Sequence, residues 1–377
     1  MNPTICIATN GTLRWPKAGG FLWVFLNWAL GLRELGCRVM WLERITADLF
    51  AKEVPNLILN LKTCLEAYGL ENCLALSWET EPPVPSDVFD GCLTLEEARD
   101  ADLLLNLAYD IPFVGLFRRS AFVDIDPGLT QIWIDVYGMK ISRHDTYFTI
   151  GETVGEPRAL FSDCGLRWHY TPPPVHLPVW PQSAAASTAA FTTITNWWGE
   201  KEWMEYHGES YDNRKRFGFL PFLDLPRRTN KPLELAVCLG GDSTGERAML
   251  HKHGWRVQEA WDVTSTPWDY QRYIQDSLGE FSCVKPSCVR LQNAWISDRT
   301  LCYLASGKPV VVQHTGPSRF LPDRGGLFRF RDFDEAAQCL DAVVTDYDYQ
   351  CRLARNLSEE HFNAKTVISR VLEKALG

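Results

Sequence analysis

The chain has 377 residues, of which 46% are hydrophobic and 23% are charged. This length and apolar content suffice for two domains with a core each, and they exclude a mainly disordered protein. The formal net charge of −9 argues against a protein whose main task is to neutralise nucleic-acid phosphates or anionic lipid. The twelve cysteines include no Cys-x-x-Cys pair, and no cleavable N-terminal signal is visible, so we expect reduced thiols and a cytoplasmic location.

The first predicted unit is strand, glycine-containing loop, helix and strand. Apolar runs at 4–8 and 39–42 predict the strands, and the apolar segment 21–35 predicts a buried helix that Gly36 ends. The most apolar part of that helix, residues 21–32, is shorter than the roughly 20 residues that cross a bilayer. We therefore expect no transmembrane segment, while peripheral contact with a membrane stays open.

The rest of the chain continues the alternation of strands and helices on both sides of a Pro-rich linker at 171–190. Predicted strands lie at 103–107, 121–125, 147–150, 191–195, 233–239, 255–258, 281–284 and 309–313, and predicted helices at 245–253, 268–277, 297–306 and 332–344. A helical tail covers 349–376. The pattern predicts an α/β protein with two Rossmann-like domains, 1–180 and 190–377, that face each other across a cleft, the last helix being able to pack back on the first domain.

One segment carries a specific resemblance. Residues 294–316 read A-W-I-S-D-R-T-L-C-Y-L-A-S-G-K-P-V-V-V-Q-H-T-G and resemble the donor-site segment of bacterial GT-B glycosyltransferases, in which an acidic or Asp-Arg helix start precedes a helix ending in Ala-Ser-Gly-x-Pro-Val-Val. Residues 36–43, 124–133 and 148–152 are similar to the N-terminal half of such enzymes. The resemblance implies a hexosyltransferase with the GT-B architecture. Residues 1–180 would bind the acceptor and residues 190–377 the nucleotide-diphosphate sugar, and a small-molecule or glycan hydroxyl would be the acceptor, with no metal or other cofactor.

The start of the predicted helix 297–306 is the first candidate donor site. Ser297 or Asp298 can cap the helix, which leaves backbone N–H groups and the positive end of the helix dipole for a diphosphate. Asp298 can alternatively accept hydrogen bonds from ribose hydroxyls, and Arg299 can neutralise phosphate, with Thr300 beside them. The alternative is an ordinary capped helix with a surface arginine.

Further donor candidates follow predicted strands. In the loop after 233–239, Gly240, Gly241, Ser243 and Thr244 can bring backbone amides and hydroxyls to phosphate, or form a plain tight turn.

His314, Thr315 and Gly316 follow another predicted strand and can contact the sugar or its phosphates, unless the histidine is simply a loop residue in solvent. Lys285 follows strand 281–284 and can lie near the base or a phosphate, or be an exposed lysine.

Candidates for the acceptor side or the cleft wall are Gly19, Gly20, Trp197 and Trp198. The two glycines open the long helix and permit a ligand to approach its backbone closely, although helix packing is an equal explanation. The tryptophan pair ends the first strand after the linker and could stack on a sugar, although such pairs more often belong to a core.

Inverting transfer requires a base that deprotonates the acceptor hydroxyl. Asp126 and Glu152 each follow a predicted strand of the first domain, so both should face the cleft and are the candidate catalytic residues. Capping of loops and helices is the competing role. Asp124 and Asp126 also form an Asp-x-Asp pair that could hold a metal, an alternative that two Rossmann-like domains do not require.

Two other functions stay open at this stage. A nucleotide-sugar epimerase with the same two-domain layout would use the donor without an acceptor, and a non-catalytic nucleotide-binding protein would perform no chemistry. In all three, we expect a nucleotide ligand and no nucleic-acid partner.

Overall fold

The computed structural model of the chain describes residues 2–46, 49, 53–78, 89–198, 203–240 and 243–377. Two parallel β-sheets with helices packed against them lie on either side of the predicted linker. The fold class predicted from the sequence is therefore confirmed.

The first sheet has eight strands in the order β4-β3-β2-β1-β5-β6-β7-β8, and every pairing is parallel. Its strands are β1 (Thr4–Ala8), β2 (Arg38–Ile45), β3 (Leu74–Trp78), β4 (Leu93–Thr94), β5 (Leu103–Asn106), β6 (Ser120–Asp124), β7 (Thr146–Thr149) and β8 (Trp168–Tyr170). The helices are α1 (Gly19–Glu34), α2 (Val54–Ala67), α3 (Leu95–Ala98) and α4 (Leu129–Asp135). Because all strands run in one direction, their carboxyl ends form a single edge.

The second half holds a six-stranded parallel sheet in the order β13-β12-β9-β14-β15-β16 and a separate hairpin of β10 with β11. Its strands are β9 (Phe191–Asn196), β10 (Trp203–Tyr206), β11 (Glu209–Asp212), β12 (Leu233–Cys238), β13 (Arg256–Glu259), β14 (Gly279–Ser282), β15 (Val310–Gln313) and β16 (Leu327–Phe330). The helices are α5 (Lys215–Phe219), α6 (Thr244–Lys252), α7 (Ala260–Val263), α8 (Pro267–Asp276), α9 (Pro286–Leu291), α10 (Asp298–Ala305), α11 (Phe333–Thr345), α12 (Tyr347–Leu357) and α13 (Ala364–Leu376).

Helix α1 joins the two halves. Trp23 of α1 is buried, donates from Nε1 to the carbonyl of Pro267 at 2.8 Å, and packs on Trp180 of the linker with ring centroids 4.6 Å apart. The opposite side of α1 packs against α13. A Cβ added to Gly31 of α1 would lie 2.5 Å from a methyl group of Ile368 in α13. Gly31 therefore permits the close approach of the last helix to the first domain.

The Pro-rich linker is held in place along its length. Val175 and Asn363 form a β-bridge, with hydrogen bonds of 2.8 Å from the Val175 amide to the Phe362 carbonyl and 3.0 Å from the Ala364 amide back to Val175. Trp180 is fully buried. The linker and the C-terminal segment thus fix each other.

All twelve cysteines are free thiols. Within the described part of the chain, no helix has both the length and the apolar character needed to cross a membrane.

Candidate active site

A cavity of about 290 Å³ opens between the two sheets. From the first domain it is bordered by the loop before α1 and by the first turns of that helix, and from the second by the carboxyl ends of β9 and β12, by α7 and by the start of α10. The polar and aromatic side chains at its wall are those of Lys17, Phe21, Thr195, Asn196, Trp261, Thr264, Tyr270, Ser297, Asp298 and Arg299. Ligands of parallel α/β sheets bind at this edge, outside the carboxyl ends of the strands.

Asp298 opens helix α10 at this cavity, after Ser297 in extended conformation. Burial raises the pKa of the Asp298 carboxyl to about 7, and the negative charge of Asp126 raises it further, against the lowering effects of its own backbone N–H and of Arg299. The predicted donor residue Asp298 and the predicted base Asp126 are therefore close enough to interact across the domain boundary.

Arg299 borders the same cavity, but its guanidinium is committed to the second sheet. It donates from Nε to Glu280 at 2.7 Å, from one terminal nitrogen to the carbonyl of Ile194 at 2.7 Å and from the other to Ser282 Oγ at 2.6 Å. Glu280 is completely buried. Arg299 thus neutralises a buried carboxylate and anchors α10 to the sheet, and its predicted contact with phosphate stays a prediction.

Lys215 is a cation that the sequence analysis missed. It begins α5, its Nζ donates to the carbonyl of Cys283 at 3.3 Å, and it lies 5.9 Å from the ring centre of Trp295. Burial lowers its pKa to about 8, helped by the positive charges of Arg299 and Lys285. The run Arg-Lys-Arg at 214–216 was the sequence signal, but only tertiary structure shows which of its members turns toward the start of α10.

The two predicted catalytic carboxylates lie at the ends of neighbouring strands, in different surroundings. Asp126 is half-buried and accepts a hydrogen bond from the Tyr109 hydroxyl. Asp124, the last residue of β6, is fully buried. Its carboxylate accepts hydrogen bonds from the side chains of Thr130, Gln131 and Thr149 and from the Asp126 amide. Burial raises the pKa of Asp124 to about 6, although these hydrogen bonds lower it.

Glu152 is buried in a contact between the domains. Its carboxylate accepts from Ser318 Oγ at 2.5 Å, from the Arg319 amide at 2.8 Å and from Arg319 Nε at 2.8 Å. Its side chain is only 1% exposed. Both oxygens of Glu152 thus bind the loop after β15 and connect it to the first domain. We call this contact of Glu152 with Ser318 and Arg319 the latch.

The remaining predicted residues of the donor segment support the loop structure. Thr300 is buried, and Thr315 Oγ1 donates to the carbonyl of Trp295 at 2.6 Å. A Cβ on Gly316 would lie 2.6 Å from the carbonyl oxygen of Gln292. His314 is buried, and this burial together with two nearby arginines lowers its pKa to about 4. The alternative of a solvent-facing histidine is thus wrong, because the ring is enclosed, whereas a contact of His314 with the sugar or its phosphates stays a prediction.

The glycine loop after β12 is only partly described. Gly240 is exposed with φ of +66°, a conformation that favours glycine, while Gly241 lies outside the described residues. Ser243 precedes α6 and Thr244 begins it. The cavity wall is formed at this strand by Cys238. Lys285 precedes α9 and contributes positive charge near Lys215.

The glycines at the start of α1 serve close packing of the two domains. A Cβ on Gly19 would lie 2.1 Å from the Thr266 carbonyl oxygen, and the Gly19 amide donates to the Thr264 carbonyl at 3.1 Å. A Cβ on Gly20 would lie 2.4 Å from the ring of Tyr270, although Gly20 also borders the cavity. Packing therefore explains Gly19, and Gly20 combines packing with a place in the cavity wall.

The tryptophan pair separates into two environments. Trp197 is fully buried in the core of the second domain, against Phe219, and its Nε1 donates to Glu246 at 2.8 Å. Its predicted place in the cleft wall is wrong, because consecutive residues leaving a strand point to opposite sides. Trp198 is exposed and lies under the guanidinium groups of Arg214 and Arg216.

No protein-family model matches the chain, and no curated protein matches it in sequence. Solved structures do match it. Sucrose-phosphate synthase from Thermosynechococcus elongatus has a TM-score of 0.57 at 11% identity, over 99% of this chain and 98% of that one. Anabaena HepE in complex with UDP-glucose has a TM-score of 0.59 at 12% identity, over 99% of both chains. An α-glucosyltransferase in complex with UDP and a 13-mer DNA has a TM-score of 0.58 at 11% identity, over the full length of both.

The chain has the GT-B fold. These matches cover both domains together, so the arrangement of the two sheets is shared as well as each sheet. In this GT-B chain the cavity between the domains holds Gly20 from one side and Ser297, Asp298 and Arg299 from the other. Lys17, Trp261 and Tyr270 at its wall were missed. Asn196, which ends β9 just before the tryptophan pair, lies at the wall, as expected for the carboxyl end of a strand.

Among the described residues, no group of three or more His, Cys, Asp or Glu side chains is arranged to hold a metal ion. In the Asp-x-Asp pair, both carboxylate oxygens of Asp124 accept hydrogen bonds from side chains of the first domain, those of Thr130, Gln131 and Thr149.

Proposed function

We propose that this protein is a glycosyltransferase that moves a sugar from a nucleotide-diphosphate sugar to a hydroxyl group of a small-molecule or glycan acceptor. The observation that carries the proposal is the cavity between the two domains, bordered by the start of α1 on one side and the start of α10 on the other. Two of the solved structures that share the fold are described as complexes with UDP or UDP-glucose, and this supports a nucleotide-sugar donor here.

The chemistry requires stabilisation of a diphosphate as it leaves the anomeric carbon. Two helices begin at the cavity, α1 with sixteen residues and α10 with eight. Their first turns present backbone N–H groups and the positive ends of two helix dipoles. We assign Lys17, at the cavity wall, and Lys215, whose pKa is affected by Arg299, as the main side-chain cations. Arg299 is given a smaller part, because three of its five N–H groups are engaged by the sheet.

Asp298 fits the nucleoside part of the donor. Its carboxyl is at the cavity wall, and a carboxylate at the start of a helix can accept hydrogen bonds from vicinal ribose hydroxyls. Burial has already raised its pKa to about 7, so hydrogen-bond donors from a ligand would stabilise its charged form.

Asp126 is the proposed group that orients or deprotonates the acceptor hydroxyl. It is half-buried at the carboxyl end of β6, receives a hydrogen bond from Tyr109 and acts on the pKa of Asp298. Glu152, the second candidate, is proposed to act by holding the loop 316–321 against the first domain and so to maintain the cleft, because its carboxylate is occupied by that loop.

The proposal requires no metal ion, since the helix starts and lysines supply positive charge for the leaving diphosphate. A nucleic-acid acceptor is disfavoured by the net charge of −9, yet the fold accommodates DNA in one matched α-glucosyltransferase. Duplex DNA therefore belongs among the acceptors tested. The free thiols favour a reducing compartment such as the cytoplasm.

The first experiment measures donor binding by calorimetric titration of UDP into the wild type, Asp298→Asn and Asp348→Asn. Asp348 is an exposed aspartate of α12, so its variant controls for the loss of one carboxylate. We expect the wild type and Asp348→Asn to bind UDP equally. Asp298→Asn should bind UDP about tenfold more weakly, because it loses a charge-assisted hydrogen bond to the ribose. Equal binding by all three proteins would show that Asp298 does not hold the donor.

The second experiment measures UDP release and product mass from UDP-glucose with a panel of sugar, lipid-free glycan and DNA acceptors, with and without EDTA. Transfer that persists in EDTA and falls at least a hundredfold in Asp126→Asn supports the proposed reaction. Conversion of the nucleotide sugar to its epimer with no acceptor present would instead identify an epimerase. UDP binding without any turnover across the panel would identify a binding protein.

A further inference from the structure

A second and larger cavity, of about 530 Å³, lies between the outer edge of the first sheet and the last helix. Its wall combines β7 and β8 with α13, with residues 360–362 before that helix and with Phe320 from the loop after β15. Within the described chain, the one carboxylate of this wall, Glu360, lies 3.7 Å from Nε2 of His361. A volume of several hundred cubic ångströms is typical of sites for small organic ligands. Because Phe320 belongs to the second domain, this cavity also lies at the domain boundary.

The last helix places two cations at the mouth of this cavity. Arg370 and Lys374 are one turn apart on α13, on the same face as Val367 and Val371, which are buried in the cavity wall. Both cations are exposed, and neither forms an ion pair within the part of the chain that the structure describes. His169 lies opposite, and its pKa is lowered by partial burial and then by the positive charge of Lys374 and Arg167.

The floor and far wall of the cavity are aromatic. Tyr170 and Phe320 stack nearly parallel, with ring centroids 5.7 Å apart and an angle of 8° between the ring planes. Phe320 is 39% exposed, with the Arg319 guanidinium 5.5 Å and the His361 ring 5.9 Å from its ring centre, so the exposed part of the ring is available to a ligand. Aromatic faces bind the apolar C–H faces of sugar rings, and a guanidinium with a neighbouring ammonium binds an anionic group.

We propose that this cavity binds an anionic saccharide, whose phosphate or carboxylate group contacts Arg370 and Lys374 while its ring lies against Phe320. The site is separate from the donor cavity, with which it shares no wall residue. The contact between Glu152 and Arg319 lies next to this cavity, because both charges affect the pKa of Tyr170, a residue of the cavity wall. A bound ligand therefore touches both domains next to the latch and stabilises their contact. This inference stands independently of the transferase proposal.

The test is binding to the full-length protein, measured by calorimetry and by thermal unfolding with four probes. These are glucose 6-phosphate, glucuronate, glucose and inorganic phosphate. We expect at least one anionic sugar to bind at least tenfold more tightly than both glucose and phosphate, and to raise the unfolding temperature. If neither glucose 6-phosphate nor glucuronate binds more tightly than both glucose and inorganic phosphate, the proposal is overturned.

Variants locate the site. The double variant Arg370→Gln with Lys374→Gln should weaken binding of the anionic sugar at least tenfold, whereas Lys365→Gln should not. Lys365 is an exposed cation of the same helix outside the cavity wall, so it controls for the loss of positive charge on α13. Because the substituted side chains are exposed, all three proteins should fold. Unchanged binding of the anionic sugar in the double variant would refute the proposal. Loss of binding in Asp298→Asn instead would also refute it and would place the ligand in the donor cavity.

Discussion

The latch at Glu152 provides the sharpest test of how the two domains are held together. Replacing Glu152 by alanine removes three hydrogen bonds to the loop after β15, from Ser318 Oγ, the Arg319 amide and Arg319 Nε. The Arg319 side chain is 57% exposed, whereas the Glu152 side chain is 1% exposed. The truncation therefore leaves no buried charge behind, because the freed guanidinium is already near water.

The magnitude follows from these environments. The ion pair with the exposed guanidinium contributes at most about 1 kcal/mol, and the bonds from the hydroxyl and the amide to a charged acceptor contribute about 1.5 kcal/mol each, the low end for charged partners. The sum is about 4 kcal/mol. With an unfolding entropy of about 2.1 cal/mol/K per residue, a chain of this length should lose about 5 °C in unfolding temperature if it unfolds as one unit.

Two assays read this outcome. Scanning calorimetry of Glu152→Ala should show the lowered transition, and limited trypsin digestion should cleave after Arg319 faster than in the wild type, because the loop is released. Glu156→Gln is the matched control, since Glu156 is an exposed carboxylate of the same segment. If Glu152→Ala and Glu156→Gln unfolded within 1 °C of each other (about 0.8 kcal/mol on the same entropy scale) and were cut at the same rate, the latch would contribute nothing.

Three further substitutions test packing and charge at the boundary. Gly19→Ala places a Cβ 2.1 Å from a backbone carbonyl oxygen and should destabilise the protein by about 2 kcal/mol in urea unfolding, whereas Gly245→Ala, which meets nothing within 4 Å, should stabilise it by about 0.5 kcal/mol; equal effects would contradict the close contact. The pKa of Asp298 is raised to about 7 from 3.8, so its contribution to stability is complete at acid pH and is lost as pH rises through about 7. The unfolding temperature of the wild type should therefore fall relative to Asp298→Asn between pH 5 and 8, and a constant difference would refute the raised pKa. Trp197→Phe should cost about 2 kcal/mol through a lost hydrogen bond and a cavity, against less than about 0.5 kcal/mol for Trp198→Phe, both from chemical denaturation; the reverse order would show that Trp197 is not in the core.

Much of the architecture follows from local pattern. The predicted strand at 4–8 coincides with β1, and the predicted helix 297–306 agrees with α10, Asp298–Ala305, to within one residue at each end. Buried strands and amphipathic helices are recognisable because each must place apolar side chains at its own period. Six strands were not predicted, namely β3, β4, β8, β10, β11 and β16. Of these, β4 with two residues and β8 with three are too short to display a period.

The sequence predicted some of the charged residues at the site correctly but not which of them face the cavity. The sequence places Asp298 and Arg299 together at the start of a helix, but side-chain direction at adjacent positions differs. Asp298 borders the cavity and interacts with Asp126, while Arg299 binds Glu280 of β14, which comes 19 residues earlier in the chain. Only the packed sheet brings that carboxylate within reach.

The sequence by itself determined the two α/β halves, the linker between them and the edge at which ligands should bind, because these depend on apolar periodicity and on strand direction. The tertiary structure decided which polar groups are available to a ligand. It occupied Glu152 with Ser318 and Arg319, turned Lys215 toward the start of α10, and folded the last helix back so that Arg370 and Lys374 border a cavity with Phe320. These partners are more than 45 residues apart in the chain, and contacts over such separations form only in the packed tertiary structure.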